Sequence, residues 1–570
     1  MLVRAVVSYY FRRFLPWLLV GGFLYLFFFL PLARILAIGF NVDFLHDSTH
    51  LFLRAWDVLQ FSLFQAALST LLTLVVGLPF AHLFARYEFP FKKVFRAFTA
   101  IPFMLPTVVA AAGFSALLGP RGWINLGLMS LFGFENPPVV FLGSLAAIIA
   151  VHVFYNATIV IRIVGNAWAS VDIRLTDAAR SLGASPLRTL FEVTLPLLRP
   201  SILAASLLVF LFDFTSFGVI LLLGGPKFAT LEVEIYIQAM HMLNLPAASF
   251  LSIIQMLCTL VFSVLYSQYV ARVTHAVRPR AAWLNEQKAR TRGQKLYTFG
   301  LIFLLCLFFA LPLFALPVRS VSRLEPERTL QAASGPGLTL NYYKELFINR
   351  RSSLFYVPPF EAARNSLVYA SLTVIISLIL GFPVASVLIR PGKLEKLLDP
   401  LLMLPLGASS VTLGLGYILT FNHPLFSGRI NLLTSPLIVP IAHSTIALPF
   451  VIRSLQAALS QIPDRYREAA AVLGASPWQV WKNIDGPIIS RAVVSAGAFA
   501  FTVSLGEFGA ASLLARPDFP TLPTAIYRFL SQPGGMNYGQ AMAMATLLMF
   551  ISVAAIIFIE SLRMPGTNDF

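Results

Sequence analysis

The sequence predicts an all-α membrane protein of about twelve transmembrane helices in two tandem parallel six-helix repeats. Three observations carry that class. Hydrophobic residues make up 58% of the chain and charged residues 12%, whereas a soluble domain carries about 25% charged residues. Windows about 20 residues long are almost free of charge, the length a helix needs to cross a bilayer. One polar, helix-forming signature occurs twice, each time between long apolar segments.

In chain order, the first six spans lie near 15–38, 59–84, 97–117, 141–163, 198–223 and 248–270. The second six lie near 297–316, 365–389, 398–421, 436–453, 490–514 and 538–560. The apolar stretch 123–132 is too short to cross and reads as interfacial or re-entrant. The first span is long and lacks a convincing cleavage site, so it reads as an anchor rather than a removable signal peptide. Cys258 and Cys306 both fall inside apolar windows, where a small buried role suits them better than a disulfide.

The net charge of +17 sits in loops beside the spans, which points to a membrane surface and away from nucleic acid. With the N-terminus inside, the inner segments carry 27 Lys and Arg and the outer segments 12, half of the latter in the single loop 317–361. That bias sets the orientation. The basic run from Arg272 to Lys295 is then an inner connector suited to anionic lipid.

The repeat is wider than the signature. Ser62-Leu63 through Gly77, Pro79, Ala81 and Arg86 matches Ser366-Leu367 through Gly381, Pro383, Ala385 and Arg390 at an offset of 304. An offset of 291 relates His152 to His443, Arg162 to Arg453 and Phe217-Gly218 to Phe508-Gly509. It also carries Pro226, Thr230-Leu231 and Ile235-Tyr236 onto Pro517, Thr521-Leu522 and Ile526-Tyr527. The difference places a deletion between spans three and four of the second half. Six spans return the chain to its starting side, so the halves share one orientation about an axis along the membrane normal, with the path expected between them. The division is 1–271 for the first half, 272–296 for a basic cytoplasmic linker and 297–570 for the second half.

The signature itself reads Asp177-Ala178-Ala179, then Gly183, Pro186 and Leu195-Pro196. Its second copy reads Glu468-Ala469-Ala470, then Gly474, Pro477 and Gly486-Pro487. Small residues allow close approach of a partner backbone, glycine ends the first helix and proline opens the next. The acidic residue suits a helix N-terminal region. Each copy therefore predicts a short helix-turn-helix on the cytoplasmic surface.

This pattern resembles the EAA loop of binding-protein-dependent ABC importer permeases, with Asp177 in place of Glu and Gly486 in place of Leu. The resemblance covers nearly the whole chain and implies a type I ABC importer permease fold in the bacterial cytoplasmic membrane. It implies coupling helices near 174–194 and 465–485, docked on two ABC ATPase subunits that bind ATP-Mg, and an extracytoplasmic solute-binding protein outside. The coupling residues would be Asp177, Ala178, Ala179, Gly183 and Pro196, with Glu468, Ala469, Ala470, Gly474 and Pro487. No G-x-x-x-x-G-K-[ST] or H-E-x-x-H run occurs, since Gly392-Lys393 lacks both the upstream Gly and a following Ser or Thr. The chain is thus expected to carry no catalytic residue, cofactor or metal of its own. Leu223-Gly224-Gly225-Pro226 and Ser504-Leu505-Gly506-Glu507-Phe508-Gly509 are similar to thiamine-type permeases; ferric-iron permeases share the acidic-Phe-Gly core, so both cargoes stay open. An ion-coupled secondary transporter would also explain parallel halves, but not twin cytoplasmic hairpins.

Asp213 and Glu507 fall within spans five and eleven, where an ionisable group is costly and faces the bundle interior. The offset of 291 aligns Glu507 with Ser216, one helical turn from Asp213. With His152, Asn156 and His443 these residues are candidates for the translocation path, where a cationic solute would meet both carboxylates; packing between helices is the alternative. Tyr236 and Tyr527 are repeat partners in the outer loops 224–247 and 515–536, the places a delivering protein would touch. Interfacial anchoring is the expected role of both.

Overall fold

The computed structural model describes residues 14–40, 49–273, 286–323, 337–348, 358–389, 392–422, 431–460 and 462–562. Among them ten helices are long and apolar enough to cross a bilayer: Phe14–Gly39, His50–Arg86, Leu145–Ser170, Pro186–Phe214, Leu245–Val270, Arg292–Ser320, Pro359–Leu388, Ile438–Ser460, Trp478–Gly506 and Gly535–Ile559. The expected third and ninth spans are not straight. Lys92–Met104 meets Thr107–Phe132 at 104°, and Lys393–Gly407 meets Ser410–Phe421 at 97°. Counting each bent pair as one span gives the expected twelve.

Both bends have a local cause. Leu105 is extended, and Pro106 has no N–H to continue the helix behind it. At the matching place Ala408 is extended and Ser409 caps the next helix, its Oγ accepting from the Thr412 N–H at 3.1 Å. The stretch 123–132 is a separate short helix, Trp123–Phe132. Its buried Asn125 ties down the following loop, exchanging bonds with Val139 in both directions at 2.8 and 2.9 Å. The fourth span starts at Leu145, where Ser144 accepts from the Ala147 N–H, and runs on to Ser170, seven residues past the expected end. Arg162 does not stop it, because a long basic side chain can reach the membrane surface from within a span.

The described residues of Met1–Thr49, Ile235–Met256 and Leu340–Pro565 form one compact unit, and those of His50–Glu234 and Leu257–Thr339 form the other. These units are cut differently from the sequence halves 1–271 and 297–570, because the first span of each half packs with the opposite half. The contact is repeated in kind. A Cβ on Gly113 of the third span would come 2.8 Å from the Pro312 carbonyl oxygen. A Cβ on Gly416 of the ninth would come 2.9 Å from Pro31 Cβ. Phe309 adds to the first contact through Phe80 and Phe154, at 6.3 and 5.8 Å between ring centres. Phe27 adds to the second through Tyr417 and Phe421, at 6.3 and 5.8 Å.

Part of the basic linker, 274–285, lies outside the described residues. The rest is tied to the loop that follows the second span: Gln287–Lys288 pairs parallel with Tyr87–Glu88, and Lys92 Nζ lies 3.1 Å from Glu286.

Candidate functional site

The twin signatures fold alike. Their first arms are Ile173–Ser181 and Asp464–Val472, and Gly183 and Gly474 follow with φ of 89° and 82°. Glycine holds that left-handed conformation with the least strain. The turn is closed twice over in each copy. The Gly183 and Ala184 N–H groups donate to Arg180 and Ala179 oxygens at 2.9 and 3.1 Å, and those of Gly474 and Ala475 to Ala471 and Ala470, both at 3.0 Å. Ser185 and Ser476 then cap the second arm, with Pro186 and Pro477 as its first helical residue.

Two expectations need correction here. Asp177 and Glu468 are each the fifth residue of their helix, not its start. The first arm opens earlier because Asp172 accepts from the Arg174 N–H at 3.1 Å. Asp177 and Asp172 instead interact electrostatically with the buried guanidinium of Arg86, at the end of the second span. Nor is the second arm a separate short helix. It runs through a π-helical turn, Leu190–Thr194 or Trp481–Asp485, directly into the fifth or eleventh span. The wider turn precedes Pro196 and Pro487, whose rings and missing N–H groups disfavour a regular helix there. Each hairpin is thus the lower end of a membrane-crossing rod. Its solvent face is apolar: Leu182 and Leu187 in the first copy, Val472, Leu473 and Trp478 in the second, with Trp478 stacked on Trp481 at 5.0 Å.

At their upper ends the rods break at repeat-related places. Leu195–Phe214 stops before Gly218–Leu223, and Gly486–Gly506 before Gly509–Leu514. A buried polar cluster sits at each break. In the first, His152 Nε2 lies 2.9 Å from Ser216 Oγ, and Nδ1 lies 3.2 Å from Ser69 Oγ and 3.4 Å from Asp213 Oδ1. Asn156 donates to the same Oδ1 at 2.7 Å, and Gln65 to the Asp213 carbonyl at 2.8 Å. In the second, His443 Nδ1 lies 2.7 Å from Ser504 Oγ, which is 3.2 Å from Thr373 Oγ1. His443 Nε2 is 3.2 Å from Glu507 Oε2, close enough for an ion pair but out of line for a hydrogen bond. Glu507 accepts from the Ala510 and Ala511 N–H groups at 2.9 and 3.0 Å, satisfying the free amides that open the next helix.

The clusters are one design with a carboxylate and a hydroxyl side chain exchanged. The repeat aligns Asp213 with Ser504 and Ser216 with Glu507. Each half therefore gives its histidine one carboxylate and one hydroxyl from the end of the rod and the break after it, in opposite order; Ser69 on the second span adds a hydroxyl to His152, while its repeat partner Thr373 bonds Ser504. Ser69, Gln65 and Thr373 escaped the sequence reading, and Ser504 entered it only as part of a family-like segment, although the two offsets alone pair Ser69 with Thr373 and Ser504 with Asp213. An exchange experiment follows. Asp213→Ser removes the carboxylate from His152, and Ser216→Glu crowds two onto it; each should cost about 2 kcal/mol of stability. The double change copies the second half and should cost less than either, read by thermal unfolding in detergent.

Above the breaks lies a third repeated contact. The N–H of Leu231 donates to Ser62 Oγ at 3.0 Å, and that of Leu522 to Ser366 Oγ at 2.7 Å. These bonds tie the outer helices Leu231–Tyr236 and Leu522–Leu530 to the second spans. Among the described residues the first half adds a bidentate pair, Arg54 donating to the buried Glu234 at 2.7 and 2.9 Å; Ala525 stands where a second Glu would be. Tyr236 is 7% exposed, so the expected interfacial anchoring fails for it.

The family of binding-protein-dependent transport system inner membrane components matches twice, at residues 74–275 and 362–563. The chain belongs to that family. The permease is accordingly a multi-pass protein of the bacterial inner membrane and not an ion-coupled secondary transporter. Both hairpins and both rods lie inside the matched segments, whereas Phe14–Gly39 and Arg292–Ser320, the helices exchanged between halves, lie outside them. The permease is 27% identical over 519 residues to the thiamine transport system permease protein ThiP of Escherichia coli (strain K12), covering 90% of each chain. It is 26% identical over 560 residues to the protein of the same name from Haemophilus influenzae, covering 97% of this chain and 96% of that one. It is also 25% identical over 520 residues to the probable ABC transporter permease protein y4fN of Sinorhizobium fredii, covering 89% and 88%.

Proposed function

We propose that this permease carries thiamine inward, driven by ATP hydrolysed on two separate ABC ATPase subunits and supplied by an extracytoplasmic binding protein. The observation that carries the reading is the pair of matched hairpins, each continuous with a rod that ends at a buried polar cluster. The apolar faces of the hairpins, with Asp177, Ala178, Ala179 and Gly183 in one and Glu468, Ala469, Ala470 and Gly474 in the other, are the ATPase docking surface. ATP-Mg binds on the ATPase, and Pro196 and Pro487 mark where each docked arm becomes a span. The names of the relatives that align over both halves support thiamine as the cargo.

The mechanism is alternating access. Closure of the ATPases moves the hairpins, and the rods carry that movement to the breaks. Asp213, Ser216, His152, Asn156, His443 and Glu507 serve the path by holding the broken spans against the second and fourth spans of each half. A rigid rod moves its far end only if that end is held to its neighbours.

The test is uptake of radiolabelled thiamine into proteoliposomes holding the permease, the ATPase and the binding protein. Accumulation should require ATP and all three components, and should lapse when the ATPase carries a lysine substitution in its nucleotide loop. Thiamine accumulation without the ATPase contradicts the mechanism; ATP hydrolysis stimulated by a binding protein loaded with another solute, and not by thiamine, contradicts the cargo.

A further inference from the structure

Two repeat-equivalent tyrosines touch each other, and one of them packs against the ring that follows a rod. Tyr236 and Tyr527 are related by the offset of 291 and share a side-chain hydrogen bond. Equivalent residues of two repeats can meet only where the repeats face one another, which is where a path between parallel repeats runs. Both belong to the segments that the Lys and Arg bias assigns to the outer side. Tyr236 ends the helix Leu231–Tyr236, is buried, and packs its ring on His241 at 5.5 Å. Burial first, and then the neighbouring Tyr527 hydroxyl, push its phenol up to about 12. It therefore keeps its proton at any physiological pH and remains a donor.

Tyr527 is reached from the other direction. The helix Trp478–Gly506 starts in the second hairpin and ends one residue before Glu507, whose carboxylate caps Gly509–Leu514. Between them stands Phe508, with its ring 5.6 Å from that of Tyr527 at 59°. Rod, Phe508, Tyr527 and Tyr236 form an unbroken chain of contacts from the cytoplasmic elbow to the outer pair. The helix of Tyr527 is itself tied to the second span of its half, at Leu522 by Ser366.

We propose that Tyr236 and Tyr527 are the outer gate of the translocation path, and that Phe508 is the lever by which the eleventh-span rod parts them. The proposal rests on the ATP-driven reading given above. In the resting permease the pair closes the path to the outside; ATP-driven movement of the rod opens it toward the binding protein.

The gate is tested by tethering it. Two tyrosines that meet at their hydroxyls leave their Cα atoms too far apart for a disulfide, so Tyr236→Cys and Tyr527→Cys are joined by a reducible bismethanethiosulfonate reagent in a chain lacking Cys258 and Cys306. Tethering should lower ATP-driven uptake of radiolabelled thiamine by roughly tenfold or more, and reduction should restore it. The yield of tether should fall when the assembled transporter is trapped with ATP and vanadate. In a second variant, Phe508→Ala, ATP hydrolysis should persist while thiamine moved per ATP falls. Full uptake with the tether in place, or equal tether yield in both nucleotide states, overturns the gate. An unchanged transport ratio in Phe508→Ala overturns the lever. Absence of ATP-dependent uptake in the untethered protein overturns the importer reading, and the gate with it.

Discussion

Valine at both Gly183 and Gly474 should cut thiamine uptake by roughly tenfold or more, while the permease stays folded in the membrane. A β-branched residue in the left-handed region costs about 1–2 kcal/mol per site, and about 1.4 kcal/mol corresponds to a tenfold change. The cost is purely one of backbone conformation, since a Cβ at either position meets nothing within 4 Å. The chain can escape it only by abandoning the turn and continuing the first arm. That would redirect the second arm, and with it the whole rod up to Phe214 or Gly506. Asparagine tolerates the same conformation and should retain most activity. Uptake in proteoliposomes, beside thermal unfolding in detergent, separates the outcomes. Full transport by the double valine variant would show that the elbows need no fixed turn.

His443→Leu should be among the more destabilising single changes within the spans, at about 1–3 kcal/mol, because it takes the ring from beside the buried Glu507 carboxylate, 3.2 Å away, and leaves Ser504 Oγ without its 2.7 Å partner. The carboxylate cannot turn away, since it is fixed by the Ala510 and Ala511 amides. Adding Glu507→Gln removes the charge and should recover part of the loss. The matching change in the first half, His152→Leu, should cost less, because Asp213 keeps its bond from Asn156. Thermal unfolding of the purified permease measures the order. Equal losses in the two halves would mean that the histidines act through packing alone.

Much of this architecture was open to sequence reading because the bilayer reduces the problem to length and charge. The twelve spans and both hairpins follow from apolar windows and from a signature that recurs. The two bends did not, because an apolar window looks the same whether its helix is straight or turns at Leu105–Pro106 or Ala408–Ser409. The exchange of the first spans was also hidden. The two halves are similar enough that Pro31 and Pro312 have equivalent surfaces to pack on, Gly416 and Gly113, and hydropathy cannot say which copy is chosen. Asp177 and Glu468 were misplaced at the helix starts because the first arm begins four residues earlier, at Ile173 and Asp464. The polar clusters were half legible. His152, Asn156, Asp213, His443 and Glu507 stand out as polar groups at membrane depth, whereas Ser69, Thr373 and Ser504 are hydroxyls of a kind common in spans, informative only once the repeats are laid together.

The twin elbows are tested most directly by labelling their tips. Leu182 and Leu473 are 90% and 87% exposed, and each is changed to cysteine singly in a chain lacking Cys258 and Cys306. A membrane-impermeant maleimide should modify both sites from the cytoplasmic face alone, and bound ATPase should protect both. Modification from the outer face, or unaltered labelling in a fully active complex with the ATPase, would contradict a permease driven through these two hairpins.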